Sequence, residues 1–136
     1  MSMAQIRTDL AARAAVDTTL ETYERAPENV ELPAFYVGLQ RGVDYVFAYG
    51  PTGATVTFDC VIVVARVESD EAIRLMDEYV DPQRGAKAMK VLLEDLTVSN
   101  TASMAWTEVV SSSEPGTVSF HGVEYLAVDF EVRVNV

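Results

Sequence analysis

One cysteine and one histidine are all that 136 residues contain of the side chains that most often bind soft metals or act with them as nucleophiles. Cys60 therefore has no partner for an internal disulfide, and His121 has neither a second histidine nor a cysteine at ligand spacing. A thiolate–imidazole pair is disfavoured as well, because Cys60 falls on an all-apolar stripe, where a thiol's pKa rises. The longest strongly apolar run, Val61 to Ala65, is far shorter than the roughly 20 residues that span a bilayer. A basic stretch followed by an apolar one, the mark of a secretory leader, is missing from the N-terminus. The expectation is a chain that is neither secreted nor inserted in a membrane, and that lives in a reducing cytoplasm. Missing too is any cluster of Lys and Arg of the kind that binds a phosphate backbone by releasing counterions. Gly50, Gly53 and Gly116 are scattered turn glycines with no nucleotide-binding spacing. There are no internal repeats.

What is present is a core of ordinary richness and an acidic surface. With 49% hydrophobic and 23% charged residues, the chain is the size of one domain, residues 1–136, with a single real core. Ten basic against 21 acidic residues leave a net charge of −11. Charges are interspersed with apolar residues, which argues against disorder and for a solubilising surface.

Residues 54–67, ATVTFDCVIVVARV, organise the rest. Val56, Phe58, Cys60, Ile62 and Val64 are apolar without interruption. The odd positions begin polar at Thr55, Thr57 and Asp59 and turn apolar at Val61, Val63 and Ala65. A strand with this pattern buries one face throughout and the other only in its second half, and both buried parts are expected beneath helices. Ahead of it, Met3, Ile6, Leu10 and Ala14 recur at helical steps, with Arg7, Asp9 and Arg13 between them as the polar side of an amphipathic helix. An irregular crossing with a short strand near residues 20–23 leads to a strand at 34–40. An aromatic arm at 44–53, with Tyr45, Phe47 and Tyr49 on one face, then forms a hairpin with the organising strand.

Beyond residue 67 the period changes. Ala72, Leu75, Met76 and Tyr79 mark a helix capped by Ser69 or Asp70, and Met89, Leu92, Leu93 and Leu96 mark a second, starting at Asp81-Pro82 or nearer Ala86. Residues 103–110 read as a strand, 111–116 as a loop, and His121-Gly122 as a turn. The chain then alternates from Leu126 to Val136 against Ala127, Asp129, Glu131, Arg133 and Asn135. Strands on either side of a helical pair predict an α+β fold. The sheet is antiparallel or mixed, with the N-terminal helix and the central helical pair packed on one face.

No catalytic, cofactor-binding or metal constellation emerges from these residues. Asp59 and Asp129 lie on polar strand faces, where two carboxylates can meet for acid–base work but are more often solvated or paired, here with Arg133. The surface of Thr55, Thr57 and Asp59 beside Asp129, Glu131 and Arg133 is instead the first candidate for subunit contacts. The aromatic arm of Tyr45, Phe47 and Tyr49, and the segment that carries Ser113, Glu114 and Phe120, are further candidates.

The arrangement resembles the tail terminator (gpU-like minor tail) family of long-tailed bacteriophages. The resemblance lies in IRTDLAARAA, PAFYVG, TFDCVIVVARVESDEAIRLMDEYVDPQRGAKAMKVLLEDL and the closing HGVEYLAVDFEVRVNV, and it covers nearly the whole chain. It implies a structural virion protein without enzymatic activity or cofactor: a homo-hexameric ring at the head-proximal end of the tail. Such a ring caps the tube of major tail protein, ends its polymerisation and docks head-completion or neck proteins. DNA passes through the lumen without specific binding, and no membrane is involved. A small ligand-binding enzyme domain, another head–tail joining protein, and an acidic inhibitor that mimics DNA remain as alternatives.

Overall fold

The alternation of residues 54–67 is realised as a strand in the computed structural model of the chain, which describes residues 3–44, 54–66, 69–81 and 88–135. Among these the elements run α1 (Met3–Ala14), β1 (Glu21–Tyr23), β2 (Ala34–Asp44), β3 (Thr55–Ala65), α2 (Asp70–Val80), α3 (Met89–Leu93), β4 (Trp106–Ser112), β5 (Gly116–Phe120) and β6 (Val123–Asn135). The strands form one six-stranded sheet in the order β1-β2-β3-β6-β4, with β5 also paired to β6. Among the described strands only β1 and β2 are parallel, so the sheet is mixed and the fold is α+β, as the order of elements predicts.

Val56, Phe58, Cys60, Ile62 and Val64 of β3 are all buried, together with Ile6, Leu10 and Ala14 of α1, Met76 and Tyr79 of α2, and Met89 and Leu93 of α3. Val128, Phe130, Val132 and Val134 of β6 join them from the neighbouring strand. Ser69 caps α2, its hydroxyl accepting from the Ala72 N–H at 3.1 Å, and Asp70 and Glu71 add negative charge at the positive end of the helix dipole. The described part of the second central helix is one short turn-and-a-half, and the expected start at 82–87 lies outside the described residues, as does the hairpin turn at 45–53.

Three sequence expectations are corrected. The late odd positions Val61 and Val63 do not lie beneath the helices. They form a second cluster on the opposite face with Ala34, Tyr36 and Ala127, covered by Leu32 of the 24–33 crossing and by Val118, Phe120 and Tyr125 of the β5–β6 hairpin. Alternation reveals that a position is buried, and not what buries it. The second correction is that residues 34–44 are one strand, with register shifts between Val37 and Gln40 and between Gln40 and Gly42. Gly38 lets β2 approach closely there: a Cβ at this position would stand 2.7 Å from the Asp59 carbonyl oxygen. Third, 111–116 is no free loop. β4 pairs with the end of β6 and β5 with its beginning, and the Ser113 N–H donates to the Asp129 carbonyl at 2.7 Å between them. The two strands are thus a single hairpin arm, interrupted between Ser112 and Gly116 and bulged between Val109 and Ser111, turning at His121 and Gly122, both with positive φ.

The polar side of α1 also departs from expectation, because Asp9 and Arg13 are wholly buried. Asp9 Oδ1 accepts from Ser99 Oγ at 2.7 Å and from the Thr101 N–H and hydroxyl, both at 2.9 Å, while Oδ2 accepts from the Ala102 N–H at 2.9 Å. Arg13 donates through Nε and Nη2 to the Ser99 carbonyl at 3.0 and 2.8 Å, and through Nη1 to the Leu93 carbonyl at 2.9 Å and Thr107 Oγ1 at 2.8 Å. Burial alone would raise the Asp9 carboxyl, but these donors outweigh it and hold the group below its ordinary 3.8. Burial pulls the Arg13 guanidinium down, with Asp9 and Asp95 opposing.

Replacing Asp9 with Ala strands the donors of 99–102 and an unbalanced buried guanidinium, so urea unfolding should show a loss of about 3 kcal/mol or more. Since the folded carboxyl has the lower pKa, its contribution is complete above 3.8 and fades as pH falls through the folded value. Stability measured against pH should therefore decline on that acid side in the parent and more shallowly in Asp9→Asn. Gly38→Ala, which must displace a strand carbonyl, should lower the thermal midpoint, while Gly42→Ala, with no neighbour within 4 Å of the added methyl, should not.

Candidate functional site

Antiparallel register sets Thr55 opposite Asn135, Thr57 opposite Arg133, Asp59 opposite Glu131 and Val61 opposite Asp129. Their alternate neighbours point into the helix-side core, so Thr55, Thr57, Asp59, Asp129, Glu131 and Arg133 share the outward face of two adjoining strands. The structure thereby brings together six of the residues that strand parity selects.

Arg41 of β2, which sequence reasoning missed, organises this face. Its Nη1 donates to Glu131 Oε1 at 2.7 Å, and its Nε stands 3.5 Å from Asp59 Oδ2. Arg133 Nη2 lies 3.9 Å from Glu131 Oε2. The expected pairing of the aspartates with Arg133 is therefore corrected: Arg41 takes Asp59. Periodicity gave no signal for Arg41, because the register shifts on either side of Gln40 break the alternation that would have set its direction.

Beside this network a groove of about 550 Å³ is lined by Tyr36, Asp59, Ser113, Glu114, Val118 and Asp129 among others. Ser113 is fixed there, its hydroxyl accepting from the Asp129 N–H at 3.0 Å and donating to the Glu114 carbonyl at 3.0 Å. Ser113 and Glu114 thus join the expected surface. Phe120 does not border that groove; its ring packs edge-on against Tyr36 at 6.0 Å and Tyr125 at 5.8 Å, in the second cluster. A second groove of about 590 Å³ lies toward the other end of the face, between Thr55, Thr57, Trp106, Glu108 and Arg133. Tyr45, Phe47 and Tyr49 lie outside the described residues.

Desolvation against the sheet raises the Asp129 carboxyl above its ordinary range, the Asp59 charge adds to it, and Arg41 opposes it. Cys60 is fully buried, and burial, reinforced by Asp59, pushes its thiol far above the range in which a thiolate forms near neutral pH. His121 sits in the β5–β6 turn, one strand-length from the aspartates. Among the described residues no group of three or more His, Cys, Asp or Glu is placed to hold a metal ion, and no helix is long and apolar enough to cross a membrane.

Fold and face together define an α+β sheet protein with helices on one side and an ion-paired polar surface on the other. No protein-family model matches the chain, and none of the curated proteins does.

Removing Arg41 tests the electrostatics of the face. In Arg41→Ala the Asp129 carboxyl should titrate at still higher pH when followed by NMR, because the one group that lowers it is gone. The pair is half exposed to solvent, so stability should change by less than about 1 kcal/mol.

Proposed function

We propose that this chain is a structural subunit that assembles into a ring on the head-proximal end of a phage tail tube, ending its growth and presenting a docking surface to neck proteins. The observation that carries the reading is the architecture itself. The N-terminal helix, the helical pair after a long strand and the closing alternating strand follow the order on which the resemblance rests, and they leave the Thr55–Asp59 and Glu131–Arg133 part of one sheet face uncovered by helices among the described residues. A tail terminator acts by surface complementarity and needs such open surfaces more than it needs a reactive side chain.

The proposed interface face is Arg41, Thr55, Thr57, Asp59, Ser113, Glu114, Asp129, Glu131 and Arg133, and the proposed partners are further copies of this chain, the tube protein and a head-completion protein. Six copies at −11 each carry −66, which gives a lumen that repels DNA and lets it slide.

Electron microscopy of the purified protein, alone and mixed with tube subunits, is the test. Rings, or tubes capped at one end and arrested in length, are expected. A protein that stays monomeric and leaves tube length unchanged would defeat the proposal.

A further inference from the structure

The two open edges of the sheet differ in a way that makes each a counterpart of the other. At the β2 edge, β1 covers only Ala34 to Tyr36, and beyond it the register shift thrusts out Leu39, which is 84% exposed. Leu39 stands on the rim between the outer-face groove and a groove of about 460 Å³ on the helix side, lined by Ala4, Arg7, Arg25 and Val37. Arg7 is tied down, donating to the Glu24 and Val37 carbonyls at 3.1 and 3.0 Å and lying 5.3 Å from the Phe58 ring centre. Arg25 is exposed and forms no ion pair among the described residues.

At the β4 edge the shape is reversed. A cavity of about 310 Å³ opens between the end of α2 and the bulged part of β4, walled by Val80, Val109, Val110 and Phe130 and rimmed by Lys90 and Glu108. Lys90 is matched by Glu94 at 2.5 Å, whereas Glu108 makes no ion pair among the described residues. This edge is closed to strand addition at its centre, because Glu94 Oε2 accepts from the Val109 N–H at 2.9 Å and Lys90 Nζ reaches the Val109 carbonyl at 3.5 Å. A partner can therefore enter by a side chain, and not by a strand.

We propose that Leu39 of one copy inserts into the Val80–Val109–Val110–Phe130 cavity of the next, with Arg25 facing Glu108 across the contact. An exposed apolar knob and an apolar socket on opposite edges of one molecule make a head-to-tail contact, which closes into a ring when the rotation permits. The unpaired cation beside the knob and the unpaired anion beside the socket set the same orientation. Arg7 and Arg25 give the knob one positive flank on the helix side, which offsets part of the repulsion between copies of a chain with 21 acidic residues. The inference rests on the ring reading and names the surfaces that reading requires.

The test mixes a Leu39→Cys preparation with a Val110→Cys preparation under mild oxidation; Cys60 is buried and does not compete. A disulfide-linked dimer from the mixture, with little from either preparation alone, is expected. Sedimentation should show self-association weakened roughly tenfold or more in Leu39→Glu, with unchanged circular dichroism. Mixing Arg25→Glu with Glu108→Arg should restore association that either charge change alone impairs. Linkage in a protein that does not cap tubes would sustain the contact and overturn the ring function. Rings or capped tubes without linkage, and indifferent to Leu39→Glu, would overturn the contact and leave the function standing. A parent protein that does not associate, together with a cysteine mixture that does not link, would overturn the contact.

Discussion

Two buried charges on one helix face hold the molecule's two halves together. Asp9 and Arg13 stand one turn apart on α1, and among the described residues their side-chain hydrogen bonds all go to the segment from Leu93 to Thr107. That segment has little regular structure between α3 and β4, so its backbone donors and acceptors have few partners of their own. The carboxylate gathers the N–H groups of 101 and 102, and the guanidinium gathers the carbonyls of 93 and 99. An irregular stretch is thereby made to follow the helix, and β4 is delivered to the sheet edge at a fixed height. Two ions taken out of water would be costly alone, and here each is surrounded by near-complete hydrogen bonding.

The consequence reaches the outer face. Because the helices and this clasp lie entirely on one side of β3 and β6, the other side is free to carry Arg41, Asp59, Glu131 and Arg133. The bulge in β2 serves both faces at once. It needs the bare backbone of Gly38 against the Asp59 carbonyl, it swings Arg41 over the acidic pair, and it leaves Leu39 projecting from the edge. One irregular stretch of strand, with a register shift on each side of Gln40, therefore sets an ion network and an apolar projection together.

What the sequence made legible was whatever obeys a period. The long strands β3 and β6, the burial of Cys60 and the polar run Thr55, Thr57 and Asp59 follow from parity alone, whereas the sequence narrows the cap of α2 only to Ser69 or Asp70. What escaped is whatever breaks a period or contradicts polarity. Asp9 and Arg13 occupy helix positions that face the core, but charge argued for solvent, and nothing local to α1 foretells partners some 90 residues away. The serine-rich stretch with Pro115 and Gly116 reads as a loop, although Ser113 keeps the ladder going across it. Arg41 was hidden by a bulge that no composition signals.

The position of β6 also dictates an order in time. It is the last of the described elements and yet an interior strand, bonded to β3 along one edge and to β4 and β5 along the other. On a ribosome, β3 must therefore wait with its apolar row and one edge unpaired while roughly 60 further residues are made, a delay of several seconds at ordinary elongation rates. The pairing of β6 with β3, β4 and β5 comes only after that interval, and any subunit contact that spans the two edges of the sheet can form only afterwards.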